Sequence, residues 1–174
     1  MKRNELSFRV EAFNRKKHDR SGFSCGVSIL DDYLKKRMGQ DARRYVTAPF
    51  VLCLENTYKI IGFYTLSAVS IDLGTLPEDT VRKLPYYPEL PATIIGRLAV
   101  DRRWRNRGVG EYLLMDALYR SWRQSHKIGA AAVIVDAKDD NARKFYERYD
   151  FKSFPDQPDK LFLAMKTAAK LFRD

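Results

Sequence analysis

The chain is poor in the residues that organise several familiar kinds of site. Its two cysteines, Cys25 and Cys53, allow one bridge at most and exclude a disulfide scaffold. Its two histidines, His18 and His126, stand in no metal-ligand spacing, so no metal site is expected. Nine glycines and seven prolines in 174 residues exclude collagen-like and low-complexity classes. No apolar run approaches the ~20 residues that cross a bilayer, so no membrane partner is expected. The opening MKRNELSFRVEAF lacks the apolar stretch of a secretory signal, which makes the cytoplasm the expected compartment. There is no GxxxxGK[ST] loop, no GxGxxG, no GxSxG and no internal repeat.

What is present is ordinary globular material, with 45% apolar and 31% charged residues. A chain near 150 residues buries about 68–70% of its unfolded surface, so one domain over residues 1–174 holds its core without staples. The charge balance is not ordinary. Lys and Arg number 32 against 22 Asp and Glu, a formal net charge of +10. Such an excess draws polyanions: nucleic acid, a phosphorylated cofactor or an acidic partner. Solubility alone explains it equally well.

Periodicity gives the elements. Residues 7–13 alternate as a strand, 14–22 form a polar loop, and apolar positions recur at helical spacing over about 29–45. The other face of that helix carries Lys35, Lys36, Arg37, Arg43 and Arg44, a solvated face or a polyanion-binding one. Residues 49–55 and 58–70 read as a hairpin about Asn56-Thr57. Residues 72–91 hold four prolines and a short helical stretch at 78–83. A strand over 93–101 follows, in which Gly96 signals a bulge or a close backbone approach. An amphipathic helix spans 108–125, and the continuous apolar run 130–137 reads as a strand buried on both faces. A short helix (140–149), a strand (161–166) and a last helix to 172 complete an α/β or α+β order with no linker.

The stretch from Ile94 to Leu118 carries the chemistry. A strand runs into Arg105-Asn106-Arg107-Gly108-Val109-Gly110, and a helix starts there. The first N–H groups of a helix lack intrahelical acceptors, and with the dipole behind them they bind anions. Glycines let backbone approach an oxygen-rich ligand, and two arginines add donors. The segment therefore reads as a phosphate cradle, with a plain glycine-requiring turn as the alternative.

Arg105-x-x-Gly108-x-Gly110 resembles the (Q/R)xxGx(G/A) pattern of the GCN5-related N-acetyltransferases, the GNAT superfamily. Asn141-Ala142-Arg143-Lys144-Phe145-Tyr146, followed by Phe151, is similar to that family's NxxAxxFYxxxGF segment. The resemblance implies a single GNAT-like domain: a mixed, mostly antiparallel sheet with one splayed parallel pair and flanking helices. It implies that Arg105 to Gly110 cradle the pyrophosphate of acetyl-CoA, while Leu98, Ala99 and Val100 pair with its pantetheine arm. Asn141 would contact that arm or order the turn, Tyr146 would be the general acid, and Phe145 would be core. The family's glycine before the final Phe is Asp150 here, a residue that tolerates the left-handed conformation better than most.

Further segments resemble the GNAT-type toxins of bacterial toxin–antitoxin pairs: Phe23-x-Cys25-Gly26, Leu30-Asp31-x-Tyr33-Leu34, Gln40-Asp41, Gly62 to Ala68, Leu84-Pro85-x-Tyr87-Pro88, Gly96 to Asp101 and Val135 to Asp139. That resemblance implies acetylation of the α-amine of the amino acid on charged tRNA, neutralisation by a ribbon-helix-helix antitoxin, and a homodimer. The basic groups expected to meet the tRNA are Lys36, Arg37, Arg43, Arg44 and Arg97. The competing expectation is a GNAT enzyme acting on a protein N-terminus, a lysine or a small-molecule amine.

Overall fold

Apolar and aromatic residues dominate the strands of a seven-stranded sheet. The computed structural model describes residues 6–173. Strand β1 (Phe8–Ala12) pairs antiparallel with β2 (Ala48–Leu54), from Phe8↔Leu54 to Ala12↔Phe50. Strand β2 pairs antiparallel with β3 (Gly62–Asp72), from Ala48↔Leu66 to Leu52↔Gly62. Strand β4 (Glu89–Val100) pairs parallel with β5 (Ala132–Asp136) from Ala92↔Ala132 to Ile95↔Val135. Strands β6 (Lys152–Phe154) and β7 (Gln157–Ala164) form a hairpin, and β7 lies antiparallel to β5. The order is β1-β2-β3-β4-β5-β7-β6, mixed and mostly antiparallel with one parallel pair.

The expected helix over 29–45 is α1 (Ser28–Asp32), a π turn at Tyr33–Arg37 and α2 (Met38–Arg43). The remaining helices are α3 (Glu78–Val81), α4 (Val109–Ser125), α5 (Asp140–Glu147) and α6 (Met165–Ala169). Several boundaries shift: the strand expected at 93–101 begins at Glu89, and the one expected at 161–166 is Gln157–Ala164, with Met165 opening α6. The strand expected at 58–70 is Gly62–Asp72, and Lys59 before it makes an isolated parallel bridge with Asp19. Strand β6 was not legible, since three residues after a tight turn carry no readable alternation.

The chain divides into two compact units, Met1–Leu66 with Arg97–Ala117 and Ser67–Gly96 with Leu118–Asp174. The first packs Phe23, Cys25, Tyr33, Leu34, Met38, Val51, Cys53, Ile60, Phe63 and Ala99 into one core. The second is built on Ile71, Leu90, Ala92, Ala132, Ile134, Phe154 and Phe162. Both cysteines are free and buried. Among the described residues no helix is long and apolar enough to cross a membrane.

Candidate acyl-transfer site

Strand β4 supplies the first part. Its pairing with β5 runs only to Ile95, one residue before Gly96, while the strand continues to Val100. Ala99 turns into the core of the first unit, and Leu98 and Val100 are half-buried. Asp101, fully buried, closes the strand. Its carboxylate accepts from the N–H of Arg103 at 2.9 Å, from the Arg103 guanidinium at 3.0 Å and from the N–H of Ser24 at 3.2 Å. Burial opposes its ionisation, but these bonds outweigh burial and hold the carboxyl below the usual aspartate range. Asp101 thereby caps the 3₁₀ turn Arg102–Trp104 that leads into the loop.

In the loop itself, Asn106 and Gly108 both adopt left-handed backbone, at φ 58° and 76°. Nothing lies within 4 Å of where a Cβ of Gly108 would stand, so the backbone there is open to a ligand. Helix α4 begins at the next residue, with Tyr112 N–H donating to the Gly108 carbonyl at 3.0 Å. Exposed loop, left-handed glycine and helix start are the features an anion cradle needs. Val109 is buried and anchors the turn.

The arginines of this stretch hold protein as well as charge. Arg105 donates to the carbonyl of Cys25, and Arg103 to the carbonyl of Gly22 at 3.0 Å. With Arg102 N–H donating to Ser24 at 2.8 Å, they stitch residues 22–25 to residues 101–105. Arg107 lies over the Trp104 ring at 5.0 Å. Arg97 stacks on the buried Tyr33 ring at 3.6 Å. The other basic candidates are exposed, with Lys36 paired to Asp32 at 3.2 Å and Arg37, Arg43 and Arg44 open to solvent.

The second unit holds Tyr146. Asp139 caps α5, its carboxylate accepting from the Ala142 N–H at 2.8 Å, and Asn141 sits exposed in the first turn. Tyr146 is 6% exposed, with Phe145 at 5.3 Å and Phe151 at 5.5 Å between ring centroids. Phe145 is half-buried, on the rim of this cluster. Burial, seconded by the Asp136 carboxylate, pushes the Tyr146 phenol well above its ordinary value, so it keeps its proton. Asp150 takes φ 67°, the left-handed turn in which the family's pattern has glycine.

The sequence profile described as "Acetyltransferase (GNAT) domain" matches residues 47–153. The chain belongs to this family. A "tRNA-acetylating toxin" of Mycobacterium tuberculosis is 37% identical over 156 residues, which is 90% of this chain and 92% of that protein. Among solved structures, a Tyr-to-Phe mutant of KacT superposes with a TM-score of 0.88 at 27% identity, covering 95% of this chain and 99% of the other. AtaT complexed with acetyl-methionyl-tRNAfMet superposes with a TM-score of 0.88 at 25% identity, covering 96% and 100%. Other solved forms of AtaT carry acetyl-CoA and the C-terminus of the antitoxin AtaR.

The GNAT pattern identified the loop but not what holds it. The place of Asp101, directly after an apolar strand and before an arginine run, is the available sign of a cap. Tyr45, at the end of the helix expected over 29–45, lies past α2 in left-handed backbone and is 95% exposed. Among the described residues no group of three or more His, Cys, Asp or Glu is placed to hold a metal.

Proposed function

We propose that this GNAT chain is an acetyl-CoA-dependent N-acetyltransferase toxin that acetylates the α-amine of the amino acid on charged tRNA and so blocks translation. The observation that carries the reading is the extent of likeness to the tRNA-acetylating toxin, 37% identity across nine-tenths of both chains. The solved complex of AtaT with an acetylated aminoacyl-tRNA supports the same substrate class. A net charge of +10 supports it from composition, through salt-dependent attraction to the phosphate backbone.

In this reading the open backbone at Gly108 and the N–H groups at the start of α4 take the pyrophosphate of acetyl-CoA, across the loop residues Arg105, Asn106, Arg107 and Gly108 and the first helical residues Val109 and Gly110. The backbone of Leu98, Ala99 and Val100 lines the pantetheine arm, and Asn141 orders the turn beside it. The amine nitrogen attacks the thioester carbonyl, the C–S bond breaks, and Tyr146 gives its phenolic proton to the departing thiolate. The proton released from the acylated nitrogen passes to solvent, and the phenolate recovers one from it. An α-amine ionises near 7.7–8.0 against 10.4 for lysine, so no strong protein base is required. The burial that weakens the phenol as an acid also keeps it loaded. That KacT and AtaT were both solved as Tyr-to-Phe mutants supports a tyrosine in this role.

The proposed setting is the cytoplasm, with a ribbon-helix-helix antitoxin as partner and a homodimer as the working form. The antitoxin rests on the AtaT complexes. The test is transfer from labelled acetyl-CoA to a mixed pool of charged tRNA. Label in the RNA fraction that mild base releases as acetyl-amino acid is the expected result. Label only on protein N-termini, lysines or free amines overturns the tRNA reading and favours the alternative GNAT activity.

A further inference from the structure

Among the described residues, four other than glycine adopt positive φ: Asn56, Asn106, Asp150 and Tyr45. Three are asparagine or aspartate, which tolerate the left-handed region. Tyr45, at φ 58°, is not, and for a bulky side chain that conformation is an outlier. It closes α2, with Tyr45 N–H donating to the Ala42 carbonyl at 3.1 Å and Val46 N–H to the Asp41 carbonyl at 3.0 Å. This is the same bonding that ends α5 around Asp150, where Asp150 N–H donates to Glu147 at 3.1 Å and Phe151 N–H to Tyr146 at 3.3 Å. There the following residue, Phe151, turns inward and is 3% exposed. After α2 the following residue, Val46, is 59% exposed, and the Tyr45 ring itself is 95% exposed.

A glycine or asparagine at position 45 would close the helix without strain. Folding thus gains nothing from the aromatic ring, which is 95% exposed and touches almost none of the protein. Strained backbone that packing does not reward is characteristic of binding sites. The setting names the ligand. Arg43 and Arg44 immediately precede the ring and are exposed, with Lys36 and Arg37 further up the same helix. The nearest acid, Asp41, is engaged by the Tyr33 hydroxyl at 3.1 Å. An exposed aromatic ring next in the chain to two exposed arginines is the combination that takes an unpaired nucleotide, base on ring and phosphate on arginine.

We infer that Tyr45 is a stacking platform for an unpaired nucleotide of the tRNA, with Arg43 and Arg44 gripping the adjoining phosphates. The inference rests on the proposed tRNA substrate and adds a specific contact to it. It is tested with total tRNA titrated into the full-length protein at several salt concentrations. Tyr45→Ala is expected to weaken binding by about 5- to 150-fold, the worth of one base–aromatic stack, with the salt slope unchanged. Tyr45→Trp is expected to stay within about twofold of wild type, because it keeps an aromatic face. Arg44→Gln is expected to lower the salt slope by about one. Tyr45→Gly is expected to bind as weakly as Tyr45→Ala while melting above wild type, opposite signs that a merely structural residue does not produce. It also carries the test if Tyr45→Ala folds poorly.

Wild-type protein that neither binds nor acetylates tRNA overturns this inference together with the substrate reading. Wild type that does both, with Tyr45→Ala within twofold of it, overturns the stacking platform alone. Unchanged tRNA binding with altered self-association in Tyr45→Ala also overturns it, in favour of a contact between copies of the chain.

Discussion

The backbone N–H of Phe151 donates to the carbonyl of Tyr146 at 3.3 Å while their rings pack 5.5 Å apart. One residue thus closes the helix that carries the proposed acid and also walls in its ring. Phe151→Ala is expected to lose about 3–5 kcal/mol of stability, as truncation of a buried phenylalanine does. Acetyl transfer should fall further than the unfolded fraction accounts for. Denaturant melts beside rates per folded molecule check this.

At the turn between them, Asp150→Gly is expected to raise stability by several tenths of a kcal/mol, because glycine adopts positive φ without strain. Asp150→Val, β-branched in the same turn, should lower it by about 1–2 kcal/mol. Thermal melts that rank valine above aspartate would reject the left-handed cap.

Tyr146→Phe keeps the ring and removes the proton. Acetyl transfer is expected to fall about 10²- to 10⁴-fold with acetyl-CoA affinity unchanged. Because burial raises the phenol, activity should also show no loss of the protonated acid as pH approaches the ~10 of free tyrosine. Single-turnover rates with a stable amine acceptor and calorimetry with acetyl-CoA give both readouts. An unaltered rate would remove Tyr146 from the chemistry.

The cradle is addressed by Gly108→Ala and Asp101→Asn. The first meets open space but a φ of 76°, so its cost of about 1–2 kcal/mol is local and should appear mainly as weaker acetyl-CoA binding. The second removes a buried charge that collects donors from Ser24 and Arg103. It is expected to cost about 1.5–3 kcal/mol and to raise the dissociation constant by loosening the loop. Calorimetric titration returning wild-type affinity for both would refute the cradle.

Two groups of the first unit give its stability a dependence on pH at opposite ends of the scale. The Nδ1 of buried His18 accepts the Asn14 N–H at 2.9 Å, so its Nε2–H donates to Glu11 at 2.8 Å. That bond, with help from Lys17 and Arg9, lowers the Glu11 carboxyl to about 2. A depressed acid stabilises above its unfolded value, so this contribution is lost as pH falls from about 4.5 through 2. Tyr33, raised to about 12 chiefly by burial, contributes below pH ~10 and loses that contribution as pH rises through 12. Glu11→Gln should flatten the acid limb of the stability curve and Tyr33→Phe the alkaline one. Denaturant melts across pH in which both variants track wild type would contradict these assignments.

Local order was legible because it is local. The apolar run at 130–137, the helix from Val109 and the glycine loop before it need only near neighbours, and they lie close to where periodicity and the GNAT pattern put them. Asp150 could be read as a left-handed cap from the resemblance, because the family's pattern has glycine at that place and aspartate tolerates the conformation. What only the tertiary structure decided are relations between distant stretches. No periodicity says that Arg103 and Arg105 hold residues 22–25, that Asp101 is buried while the arginine beside it is not, or that Arg97 lies over Tyr33. Tyr45 shows the difference most plainly: its apolar character suggests burial, yet a left-handed turn at the end of α2 puts the ring into solvent. Composition and spacing set which chemistry is available, because they depend on residue type and short-range backbone geometry. The assignment of each charge and ring to packing or to ligand waits on which surfaces meet when the chain folds.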